Sequence, residues 1–122
     1  MTGALTGIRV IEFGRFIAAP YCCQLLADAG ADVIKVEPLI GDDARRNGEK
    51  YTSSEGQQFL NKNRNKRSIA CDISDPTVVS ALKNLVSKSD VVVANFRPGQ
   101  AEKLGFDSVS YTHLTLPTKR IV

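Results

Sequence analysis

The feature that most constrains the fold is the run from Ile8 to Glu37, which reads as one unbroken strand–turn–helix–strand unit. Ile8–Phe13 (Ile-Arg-Val-Ile-Glu-Phe) is short and β-branched, as a strand should be. Gly14–Pro20 reads as a turn. Apolar residues then recur at Ala18, Tyr21, Cys22, Leu25, Leu26 and Ala29, the spacing of one helix face. Pro20 suits a first helical turn, where its missing N–H would be unpaired anyway. Gly30 stands where a left-handed helix terminus is expected. Asp32–Val36 reads as the second strand. Two strands joined by a helix form a right-handed βαβ unit, and such sheets bind ligands at the carboxyl ends of their strands. The chemistry is therefore expected near Gly14–Ala19 and Glu37–Asp43.

The rest of the chain extends this pattern. Pro38–Tyr51 is polar and reads as a mobile surface loop, in which Asp42-Asp43 reads as a solvated turn. Ser54 and Gln57 have capping-box spacing for a short helix carrying Phe59 and Leu60. Asn61–Arg67 is a basic stretch of four cations with no acid. Lying before a strand, it suits a phosphate or pyrophosphate ligand, together with Arg97. Ser68–Ile73 reads as a third strand. Asp75-Pro76 is a cap followed by a first-turn proline, and Val78, Val79, Leu82, Leu85 and Val86 set a helix over Pro76–Ser87. Asp90–Ala94 is nearly continuous apolar sequence, the kind of strand a parallel sheet buries on both faces. Ala101–Leu104 reads as one helical turn. The order of elements predicts an α/β fold: a Rossmann-like open, mainly parallel sheet with flanking helices, the N-terminal part of a larger domain.

Val109–Val122 is set apart from this pattern. Val109–Thr118 (Val-Ser-Tyr-Thr-His-Leu-Thr-Leu-Pro-Thr) resembles, in ten successive residues, the translation of a transposase end used as a DNA-sequencing adapter. Residues 1–108 are accordingly expected to be the N-terminal part of a ligand-binding Rossmann-like domain, and 109–122 a non-native, adapter-derived tail excluded from fold reasoning. The only histidine, His113, lies in that tail.

Composition excludes several classes. The net charge of +3 falls to +1 without Lys119 and Arg120, which is no nucleic-acid footprint. No apolar run approaches the ~18 residues of a membrane span, and no secretory signal is visible. Cys22, Cys23 and Cys71 form neither a disulfide nor a zinc framework, so reducing cytosol is the expected compartment. The turn after the first strand lacks GxGxxG, and no P-loop motif occurs.

At this point the ordered residues resemble the N-terminal portion of the class III CoA-transferases, a family that includes formyl-CoA and carnitine CoA-transferases and α-methylacyl-CoA racemases. The matching pieces are Leu5–Phe13, Ala19-Pro20, Leu26–Pro38, Gly41-Asp42, Asn65–Ile69, Asp90–Gly99 and Leu104–Phe106. The resemblance implies a domain that binds coenzyme A as an acyl-CoA substrate, with no metal. It implies an interlocked homodimer acting on acyl-CoA and a carboxylic acid, with no nucleic-acid or membrane partner. It places CoA contacts at Ile17 and Ala18, at Cys71, Asp72, Ile73 and Ser74, at Asn95, Phe96 and Arg97, and at Lys103. Two positions depart from the family pattern: Pro38 stands where an arginine is frequent, and Ser74 where a lysine is frequent. Arg67, Arg97 and Lys103 are the cations left to compensate. The implied activity moves CoA between a thioester and a carboxylic acid through an aspartyl intermediate. That aspartate falls downstream of this segment, so no catalytic residue is assigned and the segment alone is expected to be inactive. The alternatives are an acyl-CoA racemase of the same superfamily and a non-catalytic nucleotide- or partner-binding α/β module.

Overall fold

The computed structural model describes residues 3–48, 56–97, 99 and 120–121. Among the described residues, five parallel strands build the sheet: β1 (Arg9–Phe13), β2 (Asp32–Glu37), β3 (Arg67–Ala70), β4 (Val91–Ala94) and β5 (Arg120–Ile121). Their spatial order is β3-β2-β1-β4-β5. The chain steps outward from β1 to β2 and β3, then crosses back to place β4 on the other side of β1. That reversal makes the carboxyl ends of β1 and β4 a topological switch point.

Two helices cover the sheet, α1 (Ala18–Asp28) and α3 (Pro76–Ser87), with the short α2 (Gln57–Leu60) between them in sequence. Successive strand residues face opposite sides. Ile11, Phe13, Ile34, Val36 and Val92 pack with Leu82 and Val86 of α3. Val10, Val33 and Val93 pack with Ala19, Cys23 and Ala27 of α1. The α3 boundaries agree with its sequence pattern: Asp75 accepts a 2.9 Å hydrogen bond from the Thr77 N–H, and Pro76 follows as the first helical residue.

α1 departs from its expected face. The residues it buries are Ala19, Pro20, Cys23, Gln24 and Ala27, while Tyr21 and Leu25 are 51% and 52% exposed. Small side chains on the inner face let the helix lie close to the sheet, so shape decided the orientation over side-chain hydrophobicity. Gly30 has φ +104°, as its place after the helix demands. Gly14 is required by close approach: a Cβ there would overlap the Ala19 Cβ.

Four smaller expectations are also corrected. β3 ends at Ala70 rather than Ile73. α2 begins after Gly56 with no side-chain cap, and Ser54 lies outside the described residues. The 38–51 loop contains a tied-down 3-10 turn, Asp43–Arg46, with Ala44 buried. Asp42, read as solvated, is fully buried. Residues 101–119, with the helical turn expected at Ala101–Leu104 and with His113, lie outside the described residues. Arg120–Ile121, from the segment set aside as foreign, pairs along the otherwise open side of β4.

Candidate functional site

A cleft of about 1220 Å³ opens at the switch point. The turn after β1 supplies one wall through Gly14–Ala18, and the segment after β4 supplies another through Asn95, Phe96 and Arg97. The ends of β2 and β3 complete it through Val36–Leu39 and Cys71–Ser74. Parallel strands end together, so residues far apart in sequence meet at one sheet edge. Ile17, Ala18, Cys71, Asp72, Ile73, Ser74, Asn95, Phe96 and Arg97 therefore all line one cavity. Lys103 lies outside the described residues.

The lining is differentiated chemically. The Phe96 ring packs on Phe13 at 5.8 Å between centroids, forming an apolar floor. Ile17 and Leu39 are exposed at the rim. Ser74 donates from both its N–H and its hydroxyl to Asp72 Oδ1, at 2.9 and 2.6 Å, and these bonds hold the Asp72 carboxyl below its usual range. Burial, followed by the Asp72 charge, pushes the Cys71 thiol up, which disfavours the nucleophilic thiolate. Arg15, absent from the sequence-derived set, lines the cleft with its guanidinium 3.7 Å from Asp43. Its signal was available, since it sits in the turn after β1 to which the strand-end rule points.

Asn95 has a role that its sequence position does not reveal. Its Oδ1 accepts from the Arg15 N–H at 3.1 Å, and its Nδ2 donates to the Arg15 carbonyl at 2.9 Å. The side chain clasps the opposite wall of the cleft.

The basic stretch is placed elsewhere than its composition suggested. Arg67 pairs with Asp32 at 2.7 Å, and Arg64 pairs with Asp28 at 2.7 Å. Asp32 begins β2 and Asp28 ends α1, so these cations sit at the amino end of the sheet, away from the cleft. Lys62 donates to Gln58. Lys66 is buried, reaching Glu12 Oε1 at 2.6 Å and the Pro20 carbonyl at 2.8 Å. Burial lowers the pKa of Lys66, with Glu12 opposing the shift. Arg64, Lys66 and Arg67 balance acids of the fold, and Arg67 does not compensate for Pro38 and Ser74 at the cleft.

A second unanticipated feature underlies the cleft. Lys35 and Glu12 point inward from adjacent strands and meet at 2.5 Å, and Lys35 Nζ lies 2.9 Å from Asp42 Oδ2. The Asp42 contact is one of charge, without an aligned hydrogen bond. Glu37 adjoins them, accepting from the Asp42 N–H at 2.8 Å, from Arg45 Nε and a terminal guanidinium nitrogen at 2.8 Å each, and from the Ser68 hydroxyl. Burial raises the Glu37 pKa, but the Arg45, Ser68 and Asp42 hydrogen bonds outweigh it and bring the value to about 2. Arg45 also stacks on Phe59, 3.7 Å from the ring centroid.

Among the described residues, no group of three or more His, Cys, Asp or Glu is arranged to hold a metal, and no helix is long and apolar enough to cross a membrane. An open parallel sheet with an apolar-floored, arginine-edged cleft at its switch point defines an α/β domain of the ligand-binding type. The chain belongs to CoA-transferase family III, whose family model matches residues 5–115. It is 46% identical over 109 residues to a succinyl-CoA–L-malate CoA-transferase beta subunit of Chloroflexus aurantiacus, covering 87% of this chain and 27% of that one. It is 44% identical over 107 residues to a formyl-CoA:oxalate CoA-transferase of Bradyrhizobium diazoefficiens, covering 87% and 25%. A crystal structure of a CAIB/BAIF family protein from Brucella suis superposes with a TM-score of 0.92 at 35% identity, over 99% of this chain and 33% of that one. The chain thus spans about a quarter of the length of these curated relatives.

Proposed function

We propose that the complete protein transfers CoA between a CoA thioester and a carboxylic acid, and that this segment supplies the wall that holds the CoA nucleotide. The observation that carries the reading is the convergence of nine expected contact residues on one cleft in a family III chain. Arg97 and Arg15 edge the cleft and suit phosphate oxygens, while Phe13, Phe96 and Ile17 suit the apolar parts of the ligand. Lys103 is assigned to the same site by resemblance.

The chemistry follows from the family resemblance. An aspartate outside this segment attacks the acyl thioester, the carbon–sulfur bond breaks, and a mixed anhydride forms with release of CoA thiolate. The thiolate attacks the aspartyl carbonyl, giving an aspartyl-CoA thioester and the free acid. The acceptor carboxylate then repeats the sequence in reverse. This segment contributes binding and no nucleophile, so alone it is inactive. The active form is proposed to be a cytoplasmic homodimer. Residues 1–108 are proposed as the native part, with 109–122 adapter-derived; independent sequencing across codon 109 that returned the same codons and a genuine stop would overturn that boundary.

The test is to recover the complete reading frame and incubate the protein with an acyl-CoA and a second carboxylic acid, following both thioesters by chromatography. The expected result is appearance of the second thioester at the expense of the first. Loss of α-deuterium from a 2-methylacyl-CoA without transfer would replace the reading by racemisation. Absence of calorimetric CoA binding would overturn both.

A further inference from the structure

The wall of the cleft after β1 is an awkward piece of backbone. Phe16 has φ +63°, a left-handed conformation that a bulky side chain adopts only when its surroundings impose it. The helix that follows has no side-chain cap at Ile17. Local sequence therefore does not hold this turn in shape.

Its backbone is instead gripped by three side chains from elsewhere. Lys35 Nζ donates to the Gly14 carbonyl at 3.0 Å. Asn95 clasps the Arg15 N–H and carbonyl. Asp42 Oδ1 accepts from the Phe16 N–H at 3.3 Å. Lys35 and Asp42 belong to one buried cluster in which Glu12 bridges Lys35 to Lys66, and Lys66 holds the Pro20 carbonyl on the far side of the turn. Lys35, Glu12 and Asp42 are each 1% exposed or less. Burying such a cluster adds little net stability compared with apolar side chains of the same size, so its presence calls for another role.

We propose that Lys35, seated between Glu12 and Asp42, is a positioning residue that imposes the conformation of the Gly14–Ile17 wall and so presets the cleft for CoA. Neither Lys35 nor Glu12 lines the cleft; both act through the backbone of residues that do. The statement about CoA rests on the function proposed above, whereas the statement about the turn does not.

The experiment uses the protein from the complete reading frame. Lys35→Met alone leaves two buried carboxylates facing one ammonium, that of Lys66. The double variant Lys35→Met/Asp42→Asn removes one charge of each sign, leaves the Glu12–Lys66 pair, and keeps the oxygen that accepts from Phe16. It therefore removes the Lys35 bonds to Gly14 and Glu12 without leaving an unbalanced buried charge. Hydrogen exchange at the Arg15 and Phe16 amides is measured without ligand, next to the melting temperature and the calorimetric Kd for CoA.

The expected result is a double variant that melts close to the parent, exchanges those two amides about tenfold faster, and binds CoA about tenfold more weakly. Exchange unchanged from the parent overturns the proposal, whatever happens to CoA. Faster exchange with unchanged CoA affinity overturns its functional half. A parent protein that binds no CoA removes the function proposed above, and the exchange rates still decide what Lys35 does to the turn.

Discussion

Glu37 shows how one buried carboxylate becomes a measurable pH dependence. Its pKa near 2, against an ordinary 4.5, means that the folded state binds its proton less readily than the unfolded chain. The resulting stabilisation is complete above about pH 4.5 and is lost as pH falls towards 2. It amounts to roughly 3 kcal/mol. Glu37→Gln is expected to lower stability at pH 7 by an amount of this order and to flatten the acid limb of a pH-dependent melting curve; an unchanged limb would place the proton elsewhere. Arg97 is a second residue-scale case. Arg97→Ala removes the cation at the end of β4, and charge-assisted contacts of about 1.5–3 kcal/mol imply at least a tenfold rise in the Kd for CoA. Calorimetry that found no change would take Arg97 out of the site.

The helices show two different levels of local information. α3 carries its own start signal, and Asp75→Ala is expected to cost about 1 kcal/mol in chemical denaturation, because the Thr77 N–H loses its partner. α1 has apolar residues on more than one face, and only its packing selects among them. Ala19, Cys23 and Ala27 face the sheet because they are small. Enlarging the middle one, Cys23→Leu, is expected to destabilise by about 1–3 kcal/mol despite its greater hydrophobicity. A neutral or stabilising result would mean that the helix can back away from the sheet.

At the scale of the molecule, this chain leaves much apolar surface open. Phe16, Ile17, Tyr21, Leu25, Leu39, Ile40 and Ile69 are all exposed. The matched relatives are more than three times as long, which leaves further chain to cover such surface in a complete protein. Expressed alone, the 122-residue chain is expected to elute as soluble aggregate in size-exclusion chromatography and to melt without a cooperative transition. The protein from the complete reading frame is expected to give a single sharp peak and a cooperative melt. A monodisperse, cooperatively melting 122-residue monomer would show that the segment is self-sufficient.

The local elements were legible in the amino-acid order because their signals are local. β-branched runs marked β1, β2 and β4, Asp75-Pro76 marked the start of α3, and Gly30 marked the end of α1. The strand-end rule then led to Gly14–Ala19 and Glu37–Asp43, and most of both segments line the cleft. Charge was less legible, because a charged residue's role depends on what lies opposite it across the sheet. The cations of Asn61–Arg67 looked like ligand contacts until Asp28, Asp32 and Glu12 came to meet them. Asp42 looked solvated until Lys35 reached it from β2. Lys35 lies in a strand whose sequence gives it no special role, and only the parallel register that sets it beside Glu12 makes it the centre of a buried cluster. Backbone preference acts over a few residues and can be read along the chain, whereas the partner of a buried charge is supplied by folding.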